Sequence, residues 1–178
     1  MDQKDRIAKA ALAEIPEDGA ILLDAGTTTT RLAELLPTDR ELTVVTNSVT
    51  IAAALSTRTN LTLMLLGGRL QPHNLAAVDT WSLRVLRDTY VDVAFIGAAG
   101  VSVSRGLTVV HGAEATVKRA VIAAARRTVL LADHTKIGTV DGVCFGALAD
   151  IDLLITDTGV DAVAAEEISA AGPQVIST

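Results

Sequence analysis

What this chain lacks defines it as much as what it holds. It carries one cysteine, Cys144, in 178 residues. No internal disulfide can form, and a reducing, cytoplasmic compartment is expected. Aromatic residues number four, Trp81, Tyr90, Phe95 and Phe145, too few for a platform on which bases stack. Basic clusters are also missing. Fifteen Lys and Arg face 21 Asp and Glu, for a net charge of −6, and no run of Lys or Arg exceeds two residues. A nucleic-acid module normally shows a clustered basic face, so this chain is not expected to hold DNA or RNA by itself. No apolar run approaches the roughly 18 residues that span a membrane. The segment Met1–Ala11 is charged and has no apolar core of a signal peptide.

What remains is the composition of a globular domain, 49% apolar and 20% charged, of a length that favours one domain over residues 1–178. The apolar residues fall into a rhythm. Helical spacing over 3–15 ends at Pro16. Short apolar runs predict strands at 20–23, 42–45, 61–66, 91–96, 128–132 and 153–156, with an edge strand at 175–176. Helices are predicted at 31–36, 49–55, 80–87, 113–125 and 162–171. Residues 67–79 and 134–149 give no clear signal. The strand runs are nearly all apolar rather than alternating, which predicts strands buried on both faces. The fold class is therefore α/β, a mainly parallel sheet with helices on both faces.

Such sheets bind ligands outside the carboxyl ends of their strands. Here those ends read Asp24-Ala25-Gly26-Thr27-Thr28-Thr29, Thr46-Asn47-Ser48, Gly67-Gly68, Gly97-Ala98-Ala99-Gly100 and Asp133-His134. They are rich in Gly, Thr, Ser and Asn, and each is expected to lead toward a helix. The first combines free backbone N–H groups, hydroxyls and a helix N-terminus, which favours anions. Gly26 would let backbone approach a ligand. A phosphate cradle is one reading, and a plain threonine N-cap is the other. Glu114 and Lys118 lie four apart and share a helix face, as a surface ion pair or as a pair reaching into the pocket. Lys136 supplies a further cation, ligand-binding or solvated. Asp24 is placed to hold its loop or to meet a sugar hydroxyl. His73, His111 and His134 have no metal-ligand spacing, and the nucleophile-elbow, Walker A and GxGxxG patterns are absent. No metal, cofactor or catalytic residue is assigned.

These segments together resemble the C-terminal effector-binding domain of DeoR-type bacterial transcriptional regulators. The resemblance rests on Ile21–Thr29, Val44–Ser48, Leu65–Leu70, Asp92–Val101, Gly106–Thr108, Glu114–Arg119, Leu130–Gly138 and Asp152–Asp157, in the family's order and spacing. It covers about residues 5–160. It implies a ribose-5-phosphate isomerase-like (Rossmann-like) fold and a sensor, not an enzyme. A phosphorylated sugar or related metabolite would bind it and alter DNA binding by a separate winged helix-turn-helix domain. That DNA-binding domain is missing from this chain, which begins where it would end. Carried over residue by residue, Gly26, Thr27, Thr28 and Thr29 would hold the phosphate. Asp24, Asn47, Gly68, Gly100, Glu114, Lys118 and Lys136 would line the rest. A homo-oligomer is implied, with no membrane partner.

Two positions depart from the family pattern. Asp79 stands where a glycine is expected after Ala76-Ala77-Val78, and His134 replaces a small serine before Lys136. Two other readings compete with the sensor. An aldose–ketose isomerase would use Glu114 to move the proton and Lys118 or Lys136 to stabilise an enediolate. An oligomerisation scaffold with a vestigial pocket would need only an interface, for which Val143-Cys144-Phe145 is one strip.

Overall fold

A computed structural model describes residues 2–178. Its centre is a seven-stranded, all-parallel sheet. In chain order the strands of the molecule are β1 (Gly19–Leu23), β2 (Leu42–Thr46), β3 (Leu61–Leu65), β4 (Arg69–Leu70), β5 (Ala77–Val78), β6 (Val91–Ile96), β7 (Gly100–Ser102), β8 (Gly106–Val109), β9 (Ala125–Leu131), β10 (Val143–Gly146), β11 (Leu153–Thr156) and β12 (Gln174–Ser177). The helices are α1 (Gln3–Ala11), α2 (Thr27–Glu34), α3 (Val49–Leu55), α4 (Thr80–Arg87), α5 (Gly112–Ala124) and α6 (Ala162–Ala170). The large sheet runs β12-β11-β9-β6-β1-β2-β3.

Unbroken apolar runs form these strands because both faces are covered. Along β1, Ile21 and Leu23 pack with α1, α2 and α3, while Leu22 packs into the core under α4 and α5. Successive side chains of a strand point to opposite faces, so an all-apolar run fits only a sheet with two cores. Each fully buried Leu or Ile contributes about 1.5–3 kcal/mol. The expected edge strand at 175–176 is β12, and β3 closes the opposite edge.

The chain order fixes where a ligand fits. From β1 the chain moves outward through β2 to β3, then returns to lay β6 on the other side of β1. The β1–β6 junction is thus a topological switch point, where connections leave in opposite directions and a crevice opens at the strands' carboxyl ends.

Several boundaries differ from the expectations. The predicted helix 31–36 is α2, which starts four residues earlier and takes in all four threonines. Helix 3–15 ends at Ala11 and tightens into a 3₁₀ turn, Leu12–Glu14. Strand β9 begins at Ala125, three residues before the predicted start, directly from the end of α5. The loop Gly97–Gly100 leads into β7, not into a helix. Strands β7, β8 and β10 form a separate antiparallel sheet, and β4 and β5 a small hairpin; β4, β5 and β10 lie in the stretches without clear signal, and β7 and β8 were not predicted as strands. Phe145, expected in an exposed interface strip, is buried at 2% exposure.

The glycine missing at 79 has a physical cause. Asp79 sits at φ 80, ψ −168, a region essentially reserved for glycine, where another residue costs about 1–3 kcal/mol. Its carboxylate partly offsets this by accepting from Arg69 Nε at 2.8 Å, across the end of the hairpin. Gly68 is bound to its place for a different reason. Its φ is +144°, and a Cβ there would meet the Val78 carbonyl at 2.3 Å.

Candidate functional site

A cavity of about 330 Å³ opens at the switch point. It is lined by the loops after β1, β6 and β9, the start of α5, and the turn between β4 and β5. Lys4 reaches it from α1.

The β1 end is built from Gly26 to Thr29. Gly26 caps α2, and its carbonyl accepts the first intrahelical bond, from Thr30 N–H at 2.9 Å. The N–H groups of Thr27, Thr28 and Thr29 precede that bond and are among a helix's four orphan donors. Thr29 spends its hydroxyl proton on the Asp24 carbonyl at 2.6 Å, with the Gly26 carbonyl at 2.9 Å. It shapes the loop. Thr28 is buried and lines the cavity, and its hydroxyl makes no hydrogen bond among the described residues. Thr27 is exposed at the rim.

The α5 end is charged. Lys118 is 1% exposed, and its Nζ donates to the Asp24 carboxylate after β1 and to the Gly97 carbonyl after β6, the latter at 2.9 Å. One ammonium therefore bridges both sides of the switch point. Glu114 Oε1 stands 3.7 Å away, and the Phe145 ring lies 5.5 Å beneath the ammonium. The Glu114–Lys118 pair is thus not a surface ion pair: Lys118 is buried against Asp24, and the half-buried Glu114 completes the cluster from the cavity side. Burial pushes the Glu114 carboxyl above its ordinary range, and Lys118 pulls against that shift.

After β9, Asp133 caps a short turn, His134–Lys136, by accepting from Thr135 N–H at 3.0 Å. The turn delivers Lys136 to the cavity. Lys4 and Lys136 make no ion pair among the described residues, so two cations remain to meet an anion. His134 does not line the cavity. It anchors the turn instead, with its backbone N–H and Nδ1 at 2.7 and 2.8 Å from the buried carboxylate of Asp157. Burial would raise the Asp157 carboxyl, but hydrogen bonds from His134 and Gly159 hold it below its usual range.

Gly26, Thr27, Thr28, Thr29, Glu114, Lys118 and Lys136 thus line one cavity. Asp24 lies beneath it, neutralising Lys118. Asn47 lies outside the cavity lining. Its Oδ1 accepts from Ala25 N–H at 3.1 Å and so stitches the β1 loop to β2. Gly68 borders a separate hollow with Arg69, Asp79, Thr80 and Trp81. Gly100 is buried in β7 and is not in the lining; it is packed so closely that a Cβ there would meet the Thr139 carbonyl at 2.5 Å. Sequence reading missed Lys4, His73, Asn74 and His111, which also line the cavity. His73 and Asn74 sit in a segment without periodicity, and nothing along the chain shows that they lie beside α5. The described residues hold no group of three His, Cys, Asp or Glu suited to a metal, and no helix among them is long and apolar enough to cross a membrane.

A parallel sheet with a cavity at its switch point is a Rossmann-like fold, the fold found in ribose-5-phosphate isomerase. Solved structures agree. Ribose 5-phosphate isomerase A from Methanocaldococcus jannaschii superposes with a TM-score of 0.55 at 20% identity, over 76% of this chain and 53% of the other. A D-ribose-5-phosphate isomerase in complex with phospho-erythronic acid gives 0.54 at 21% identity, over 76% and 55%. Residues 1–158 match the family described as "DeoR C terminal sensor domain", and the chain belongs to that family. It is 36% identical over 99% of its length to the HTH-type transcriptional regulator GlpR of Haloferax volcanii, covering 69% of that protein. It is 35% identical over 88% of its length to the HTH-type transcriptional repressor GlcR of Bacillus subtilis, covering 60% of it. The Glycerol-3-phosphate regulon repressor of Escherichia coli is 28% identical over 88% of the chain, which spans 62% of that relative. These relatives are named as regulators and repressors, not as enzymes. The chain is a sensor domain of this kind.

Proposed function

We propose that the effector is a phosphorylated sugar or polyol, with its phosphate at the N-terminus of α2 and its hydroxyls toward Glu114 and Asp133. The observation that carries this is the pairing of free donors with free cations. The first-turn threonines of α2, with the unspent Thr28 hydroxyl, line the same cavity as Lys4 and Lys136, which have no carboxylate partner among the described residues. A helix N-terminus with adjacent cations favours a dianion. The word glycerol-3-phosphate in the name of the Escherichia coli relative supports the same ligand class.

Effector binding would then control DNA binding by a helix-turn-helix domain outside this chain. Binding can bias two arrangements only through different affinity for each. The chain acts as a homo-oligomer in this reading, and the free edge of β3 with exposed Trp81 and Tyr90 leaves surface for self-association.

Thermal melting against sugar and polyol phosphates, each paired with its unphosphorylated parent, tests the pocket. A ligand at a hundred times its Kd adds about 2.7 kcal/mol, or roughly 5–10 °C for a domain of this size. An ester should shift the melt and its parent should not. Equal shifts by both, or no shift by any ester, would overturn the phosphate reading.

A further inference from the structure

The cavity's mouth carries chemistry that the phosphate reading leaves unused. His73 stands on the turn between β4 and β5, and His111 stands immediately before α5. The fold brings their rings to 4.7 Å between centroids, inclined at 51°. Both line the cavity, and His73 Nε2 lies 3.9 Å from Glu114 Oε2. Neither ring is buried, and neither makes a hydrogen bond among the described residues. His111 occupies the N-cap position of α5 without a capping bond from its side chain. The fold thus makes no hydrogen bond to these four ring nitrogens among the described residues, yet holds two imidazoles side by side over the site, one of them beside Glu114.

Histidine is the side chain that ordinarily changes charge between pH 5 and 8. Two imidazolium rings this close repel each other unless an anion lies against both. The charged groups that share their cavity are Lys4 from α1, Glu114 and Lys118 from α5, and Asp133 and Lys136 after β9, with Asp24 beneath Lys118. Lys118 is already neutralised by Asp24. Two carboxylates of the lining oppose an anion here: Glu114, 3.9 Å from His73 Nε2, and Asp133, which accepts from Thr135 N–H within its own turn.

We infer that His73 and His111 form a second oxyanion subsite at the cavity's mouth, so that the pocket favours effectors carrying a carboxylate or second phosphate besides the phosphate at α2. The inference rests on the phosphate reading above and adds a second point of recognition to it. Preference for the doubly anionic ligand grows as pH falls through the imidazole range.

The test compares 3-phosphoglycerate with glycerol 3-phosphate by calorimetry at pH 6 and pH 8. The two probes share a phosphate ester and differ at the far carbon, a carboxylate in one and a hydroxymethyl in the other. Phosphate protonation therefore cancels in the ratio of their affinities. The ratio should favour 3-phosphoglycerate by about five- to tenfold at pH 6 and by less than about twofold at pH 8, the scale of one charge-assisted contact. His73→Gln with His111→Gln should bring the ratio to about one at both pH values. His73→Arg, which keeps a positive charge, should hold the preference at pH 8. A flat ratio with both probes binding overturns the subsite and spares the phosphate pocket. A pH-dependent ratio that survives in the double variant also overturns it. Failure of both probes to bind at either pH overturns the pocket and the subsite together.

Discussion

The cavity has two ends built on opposite principles. At the α2 end, Gly26 to Thr29 offer backbone N–H groups and hydroxyls, all neutral and all from one short stretch. Their donors would face water in any helix N-terminus, so leaving them for a ligand costs the fold little. At the α5 end, Asp24, Glu114 and Lys118 bring three charges into the protein from two separate elements. Removing charges from water costs several kcal/mol per ion unless partners and hydrogen bonds compensate. The α2 end is local and inexpensive. The α5 end stands only when the whole sheet is assembled, because one lysine must reach the ends of both β1 and β6.

That contrast can be broken most sharply at Lys118. Lys118→Met leaves the buried Asp24 and the half-buried Glu114 without their cation and should cost about 3–5 kcal/mol in urea unfolding. Adding Asp24→Asn should recover at least half of the loss. A cost below about 1 kcal/mol for the single variant would show that the α5 end is not the buried ionic unit described. At the opposite end, Thr28→Val removes a hydroxyl that makes no hydrogen bond among the described residues and that the proposed phosphate would use. Affinity for an effective phosphate ester should fall about tenfold, while stability moves by less than about 0.5 kcal/mol. A large stability loss there would mean that the two ends share one design.

Glu114→Gln gives the smallest effect and the most direct sign. Burial raises the Glu114 carboxyl above its ordinary value of 4.5, so the folded state holds that proton more tightly than the unfolded chain does. Its charged form penalises folding above pH 4.5, most fully once the pH passes the folded value. The variant should melt about 2–4 °C higher at pH 7, with the gap closing as the pH falls toward 4.5. A lower melting temperature at pH 7 would mean that the attraction to Lys118 outweighs burial.

The same contrast explains what the sequence disclosed. The central strands were legible because continuous runs such as Ile21-Leu22-Leu23 have one stable use, between two cores. The glycine expected at 79 was legible as well, since Asp79 occupies a glycine conformation. The strands of the second sheet were not, because Gly100–Ser102, Gly106–Val109 and Val143–Gly146 are three or four residues long, and the last joins the hairpin of the first two from distant sequence, Val143 opposite Val109. The start of α2 was placed late because threonine is a weak helix former, and tertiary contacts override that weakness. In the site, the α2 end could be read as a contiguous motif. Glu114 and Lys118 could be read only as neighbours on a helix, with burial invisible. Asn47, Gly68 and Gly100 belong to strand-end motifs as expected, but their motifs serve the backbone around the cavity. Lys4, His73 and His111 come from three distant stretches, and only the fold brings them together.

The join between α5 and β9 has a mechanical consequence. Ala124 ends the helix, Ala125 is already extended, and no residue separates the two elements. Most connections hold some slack that absorbs a small axial slide or twist. This one behaves like a rigid crank: the helix bearing Glu114 and Lys118 cannot shift along its axis without pulling on a strand in the middle of the sheet.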